Sequence, residues 1–314
     1  MRKVFLISAV FFISHSVFSK SFSISITPDI FLSKAEVKEL VYTESASEKL
    51  SELVWEESPV LKAGLSSSII FKNANLNMDF VTAIPDECGN MRDSDWNLSG
   101  LKTTYSIHEQ KVKKDISFGL EFLYNFEIFN RFFYLSPGIS LNYNYITFEG
   151  RNGHGWYGGW QYSKTGKDEA WNSENARHAK KVAGIDYKKQ DFNCFLSLYS
   201  GFKLNDLYLK LGFSFSPFCF YDVTDYHYGA TGSGFDNEYI FYSSFKRIKV
   251  DFGGSYKFSK YFVLCVDGIF EKQFLDYGDM YSNYYTEKLT KTKQKSGIEF
   301  YDFSVKIGFN FLVL

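Results

Sequence analysis

The feature that most constrains the fold is a period-two alternation of apolar and polar residues, sustained over long runs. From Ile116 to Ile128 every even position is apolar, while the odd ones carry Ser117, Gly119, Glu121, Asn125 and Glu127, with Leu123 the exception. The odd positions from Phe133 to Tyr145, from Leu207 to Phe215 and from Tyr301 to Val313 form similar apolar faces. In extended backbone successive side chains point to opposite sides, so each run presents one apolar and one polar wall. A water-soluble sandwich alternates in the same way. The number of long runs and the charged residues on the polar wall favour a sheet closed on itself in a membrane, with lipid outside and water inside. A 20% aromatic content with a mean hydropathy of only -0.21 suits that arrangement. The net charge of -1 offers no electrostatic case for nucleic acid.

The alternation predicts ten strands, near 20–44, 48–72, 76–86, 102–129, 131–150, 179–204, 206–228, 237–258, 260–276 and 297–314. Tight turns are expected at Lys72 to Asn75, Asn130-Arg131, Asn205-Asp206 and Ser259-Lys260. Longer connections fall at 87–100, 151–178, 229–236 and 277–296. Short turns at one rim and long loops at the other are the pattern of an outer-membrane barrel. The expected fold is therefore all-β, a ten-stranded antiparallel transmembrane β-barrel. A tilted strand crosses the apolar layer in about 10 residues. Strands of twice that length must carry the loop end well beyond the membrane.

The N-terminus reads as an export signal: Arg2 and Lys3, then an apolar run from Val4 to Ile13, with cleavage expected after Ser19. Residues 20–314 then form the barrel domain. Beyond Ser19 no run of about 18 apolar residues exists to make a spanning helix. Cys88, Cys194, Cys219 and Cys265 are scattered singly, three of them within strand patterns, and no structural disulfide is expected. The Gly- and Trp-rich stretch from Gly150 to Trp160 reads as a mobile rim loop, and Lys288 to Lys295 as a solvated loop face. Tyr281, Tyr284 and Tyr285 suit either a water–lipid boundary or the loop surface.

Two polar clusters stand apart from this scaffold. In Asn90-Met91-Arg92-Asp93-Ser94-Asp95-Trp96 the two acids sit two residues apart and share one face of an extended chain. Carboxylates that close repel, which raises the pKa of one of them. In Asp222-Val223-Thr224-Asp225-Tyr226-His227-Tyr228 the spacing recurs between Asp225 and His227. Face to face, the clusters would form a site of carboxylates and an imidazole; apart, they are acidic surface loops. One condition is attached. Odd residues from Leu207 face lipid, yet Asp225 and His227 must face inward, so the parity has to change between them. A β-bulge near Ser216-Pro217 is expected, because Pro lacks the ladder donor.

The two clusters resemble motifs of the omptin family of outer-membrane endopeptidases, Asn-Met-x-Asp-x-Asp-Trp and Asp-x-His-Tyr. Further similarity lies in Glu39-Leu40-Val41-Tyr42, Lys49 to Trp55, Lys62-Ala63-Gly64, Gly184 to Tyr187 and Gly297-Ile298-Glu299. The resemblance implies His227 as general base, Asp225 as its orienting carboxylate, and Asp93 and Asp95 holding water and the substrate oxygen. It implies polypeptide substrates cut at basic residues, at a site facing the outside of the bacterial outer membrane. Of the family's two substrate-pocket acids, Glu39 matches one. Val223 occupies the place of the other, and the adjacent Asp222 is the candidate to replace it if the backbone shifts by one residue. No cofactor is expected. The family's contacts to lipopolysaccharide are charged residues on the outer face of the middle strands. Asn142-Tyr143-Asn144-Tyr145 offers no such Arg or Glu, which counts against dependence on that lipid. Three other readings are an adhesive barrel that has lost activity, a passive porin, for which ten strands make a narrow lumen, and a metal site on His154, His178 and His227, whose spacing matches no metal pattern.

Overall fold

A computed structural model describes residues 22–128, 132–159, 166–229, 234–284 and 288–313. The expected signal at 1–19, the turn at Asn130-Arg131, Trp160, Tyr285 and Leu314 lie outside these residues. Among the described residues there are fourteen strand segments: β1 (Phe22–Tyr42), β2 (Lys49–Phe71), β3 (Ala74–Ala83), β4 (Asp86–Trp96), β5 (Lys102–Tyr124), β6 (Phe126–Ile128), β7 (Phe133–Tyr157), β8 (Arg177–Val182), β9 (Ile185–Leu204), β10 (Leu207–His227), β11 (Phe235–Ser243), β12 (Arg247–Lys257), β13 (Phe262–Ser282) and β14 (Thr290–Leu312). All pairings are antiparallel, and β1 pairs with β14 from Ser25–Leu312 to Tyr42–Lys295, which closes the sheet into a barrel. The count differs from the ten expected because some spans are broken. β3 and β4 both lie between β2 and β5, and β11 and β12 both lie between β10 and β13. β6 and β8 prolong β5 and β9 along β7.

The lower part of the barrel wears an apolar belt. Ile30 and Leu32 on β1, Phe118 and Phe122 on β5, Leu209, Leu211 and Phe213 on β10, and Phe303 to Phe309 at alternate positions on β14 all point outward and are exposed. Leaving such residues bare to water would forfeit about 25 cal/mol for each Å² of apolar surface, so the belt is a lipid-facing surface. Tyr242, Phe245, Phe274 and Tyr277 add an aromatic fringe toward the loop end. Above it the outward positions turn polar: Glu36 and Lys38 on β1, Lys188 and Asp186 on β9, Asp222 and Thr224 on β10.

The strands reach further than the alternation implied. The stretch 87–100 is not a loop: β4 runs through the acid pair to Trp96, and the turn covers 97–101 only. Likewise β7 extends to Tyr157, β13 to Ser282, and β14 begins at Thr290. Above the belt both faces of the wall are wet, so the apolar period that marks a strand fades while the hydrogen-bond ladder continues.

The expected bulge is present. Phe215 pairs with Leu196 and Phe218 with Cys194, so Ser216 and Pro217 oppose a single residue of β9. Below them the even residues Gly212 and Ser214 point inward; above them the odd residues Cys219, Tyr221, Val223 and Asp225 do. β2 makes the same move at Ser58-Pro59, opposite Lys34. At this level the lumen is filled by an aromatic floor. Trp55, Phe148 and Tyr187 stack within 5.1–5.7 Å of one another, with Tyr221, Phe241, Ile298 and Phe300 beside them. Below the floor the lumen is charged, with Arg247 paired to Asp191 at 3.0 Å and to Glu271, and lying 4.6 Å from the Phe300 ring centre. The floor separates that charged lumen from a groove at the loop end.

Candidate active site

The groove above the floor has a volume of about 680 Å³. Asp93 and Asp95 enter it from β4, Asp225 and His227 from β10, and Glu39 from β1. Register explains why. Asp93 pairs with Leu53 of β2 and Ser106 of β5, and Asp225 pairs with Tyr187 of β9 and Asn237 of β11. Two acids two residues apart on β4 share the inner face, and the bulge on β10 turns Asp225 and His227 to the same interior. From Phe218 at the edge of the belt to Asp225 is seven residues, roughly 20 Å along the strand. The site therefore lies beyond the lipid-facing belt.

His227 donates from Nε2 to Asp225 Oδ2 at 2.8 Å, since a carboxylate oxygen only accepts. That leaves Nδ1 as the nitrogen with a free lone pair. Tyr239 donates its hydroxyl to the same Oδ2 at 3.3 Å, and Asp225 is fully buried. The His227 ring lies flat on Phe235, with centres 4.6 Å apart and planes within 5°, which fixes its tilt. Burial alone would lower the imidazole pKa; the Asp225 charge, its hydrogen bond and the Asp93 and Asp95 charges overcome that and raise it. Burial and the neighbouring Asp95 push the Asp93 carboxyl up to about 8, with His227 opposing. Asp95 is raised by burial too, but hydrogen bonds from Ser51 and Thr104 and the nearby His227 hold it back. Two like acids in different surroundings thus separate, and Asp93 keeps a proton near neutral pH.

Glu39 lies on the groove floor and is 4% exposed; its Oε2 accepts from Trp55 Nε1 at 3.4 Å. Burial first, and the charge of Asp225 second, raise its carboxyl well above the usual range. Asp222 is elsewhere. The β10 register runs without a shift from Phe218 to His227, so Val223 faces the interior and Asp222 the outer wall, where Gln190 Nε2 donates to it at 2.6 Å. The one-residue shift that would bring Asp222 inward is absent, and Asp222 does not line the groove, contrary to the expectation that it replaces the missing pocket acid.

His154 and His178 also lie apart from His227. They sit on the outer wall around Trp156, which stacks on His178 with ring centres 5.0 Å apart. Among the described residues no cluster of His, Cys, Asp and Glu has a metal-binding arrangement. All four cysteines are free. Lys288, Lys291 and Lys293 are exposed, as expected of a solvated face; Lys291 and Lys295 pair with Asp279 at 2.7 and 3.2 Å, and Lys291 and Lys293 reach the groove rim beside Tyr284. Sequence reasoning missed Phe235 and Tyr239. Their odd numbering matches the inward face of β11, a signal hidden because Phe235 falls in the stretch assigned to a loop. It also missed His108 below Asp93, a buried ring hydrogen-bonded to Ser106 at 3.0 Å and pushed down to about 4 by burial.

Comparison with known proteins places this barrel. The sequence model of the omptin family matches residues 19–313. No curated protein matches the sequence. Among solved structures, the chain is similar to the outer membrane protease OmpT from Escherichia coli, with a TM-score of 0.80 and 17% identity over 95% of this chain and 99% of that one. The translocator domain of the autotransporter NalP from Neisseria meningitidis aligns with a TM-score of 0.35 and 8% identity over 99% of this chain and 95% of that one. The OmpT likeness shows a shared barrel fold, the fold of an outer-membrane protein. Matched from the first described strand to the last, this chain belongs to the omptin family.

Proposed function

We propose that this protein is an endopeptidase of the bacterial outer membrane that cuts polypeptides at basic residues, from a site open to the cell exterior, with residues 1–19 removed on export. The observation that carries the reading is that Asp93 and Asp95 on β4 and the Asp225–His227 pair on β10 line one groove. Nothing in barrel folding requires four such groups to converge on a cavity.

The chemistry follows from the protonation states. A peptide carbonyl lies between the two walls, with a water on its His227 side. His227 Nδ1 takes a proton from that water as the oxygen attacks the carbonyl carbon, and Asp225 stabilises the imidazolium. The carbonyl oxygen gains negative charge. Asp93, protonated below about 8, donates a hydrogen bond to it, and Asp95 orients the water. The imidazolium then passes its proton to the departing amine, and the C–N bond breaks to leave a free carboxylic acid. Water is the nucleophile, so no acyl intermediate forms.

A peptide library incubated with refolded protein, beside His227→Ala, tests the reading. Cleavage at basic residues that falls by about 10²–10⁴-fold in the variant is expected. Equal activity in the variant would remove His227 as base. Absence of any cleavage, with and without lipopolysaccharide, would favour an adhesive barrel.

A further inference from the structure

The closed wall of the barrel has a notch at the rim of the groove. β1 and β14 pair up to Tyr42 and Lys295, and there β1 ends. β13 continues from Asp279 to Ser282, roughly 10 Å, and β14 rises beside it to Thr290. On its other side this part of β14 has no strand. The turn 43–48 bonds to itself, with Thr43 N donating to Glu48 O at 3.0 Å, and among the described residues no hydrogen bond joins it to 290–294. Successive residues of a strand direct their N–H and C=O groups to opposite neighbours, so a strand that lacks one neighbour presents a row of unpaired donors and acceptors. A bulge frees this row further. Tyr281 pairs with Lys291 and Asp279 with Lys295, so Thr292, Lys293 and Gln294 oppose Met280 alone. The Thr292 hydroxyl donates to Met280 O at 3.3 Å, which keeps the segment standing against β13. Thr290, Lys291, Thr292, Lys293 and Gln294 all line the groove that holds Asp93, Asp95, Asp225 and His227, and so does Val41 at the top of β1.

Resting on the proteolytic reading above, we propose that the substrate polypeptide docks on the free edge of β14, from Thr290 to Gln294, by adding an extended strand to the barrel wall. The chemistry of the edge selects this occupant. Backbone groups pair with backbone groups, so the edge takes a segment that lies extended with its own N–H and C=O groups unpaired. A folded domain has paired nearly all such groups in its interior elements. The substrate class is therefore unfolded chain and exposed loops, whatever their side chains at this end. The added strand fills the notch above Tyr42 and continues past Val41 into the groove, between the walls that carry Asp93 and His227. Main-chain pairing supplies affinity there and leaves side-chain selection to the groove itself.

The test uses one peptide that the refolded full-length barrel cleaves, and a set in which single amide nitrogens away from the scissile bond are N-methylated. On one side of that bond, positions two apart should lose about tenfold in kcat/KM, mostly through KM, while the position between them loses little, which is the period of a strand. Thr292→Pro, Lys293→Pro and Gln294→Pro, made singly, each remove a donor from the edge without breaking a listed pair with β13. At least one should raise KM by a similar factor, and its loss should be less than additive with that of a sensitive N-methyl position. Equal tolerance of N-methylation at every position would overturn the inference, as would an unchanged KM in all three proline variants. A change of oligomeric state in those variants with KM unchanged would assign the edge to a second copy of the chain and overturn it too. Failure of the proteolytic reading looks different: no peptide is cut, or all are cut equally by His227→Ala.

Discussion

The Asp225 carboxylate accepts from His227 Nε2 at 2.8 Å while being fully buried itself, so the imidazole is held by a partner that water cannot reach. The pair fixes the tautomer and leaves only Nδ1 to take a proton. Asp225→Asn removes the charge that offsets burial of the ring. The imidazole pKa should then fall below that of the natural protein, and kcat should drop by about 10²-fold or more. Histidine NMR titration and peptide kinetics check the two halves separately. An unchanged imidazole pKa in the variant would contradict the coupling.

The rate should follow a bell in pH. His227 must be neutral to act as base, and its raised pKa places the acid limb above the ordinary imidazole value of about 6.5. Asp93 must hold its proton to donate, and it loses that proton near 8. Activity therefore rises as His227 deprotonates and declines above about 8 as Asp93 ionises. In Asp93→Asn the side-chain amide still donates but does not ionise. That variant should keep part of its activity and lose the alkaline limb, whereas Asp93→Ala should lose about 10²–10³-fold at all pH values. An alkaline limb that persists in Asp93→Asn would assign it to another group.

Lipopolysaccharide should not be needed for activity. Asn142 and Asn144 both point into the lumen, where Asn144 Nδ2 donates to Asp191 at 2.7 Å. The outward positions between them and beside them are Tyr143 and Gln190, with the Tyr143 hydroxyl 3.4 Å from Gln190 Oε1, and Gln190 in turn bound to Asp222. Tyr143 and Gln190 themselves carry no basic group with which to grip a lipid phosphate, Gln190 is tied to an acid, and Lys188, the next outward residue of β9, lies above them. Refolded protein assayed with and without added lipopolysaccharide should give the same kcat/KM. Strict dependence would show that the lipid binds elsewhere on the wall.

The barrel was legible because lipid below and water inside impose opposite demands on alternate residues, as Leu207 to Phe215 and Tyr301 to Val313 show. The bulge was legible for a related reason: odd residues could not face lipid at Leu209 and the groove at Asp225 unless the parity changed. The upper strands were not legible. Around Asp93 both faces of β4 are polar or wet, so a continuing ladder looked like a loop. The orientation of Asp222 was undetermined for want of register, since one residue of slip exchanges Asp222 and Val223 between the walls. The contact between Trp55 and Glu39 links β2 to β1 across the interior and leaves no trace in local pattern.

The bulge at Ser216-Pro217 takes up one extra residue, and the faces of β10 depend on that count. Deleting Ser216 leaves Ser214 inward, Phe215 outward, Pro217 inward, Phe218 outward and Cys219 inward, so belt and groove keep their residues and cleavage should survive. Pro217→Ala keeps the residue count and restores one N–H at a point where the ladder with β9 is already interrupted, and it too should retain folding and activity nearly unchanged. Inserting one alanine between Tyr221 and Asp222 reverses every position above it. Val223, Asp225 and His227 would then leave the interior, and proteolysis should vanish even if a barrel still forms. Peptide cleavage together with heat-modifiable migration of the purified barrel distinguishes the three variants. An active insertion variant would show that the inner face of β10 above the bulge is not set by residue count.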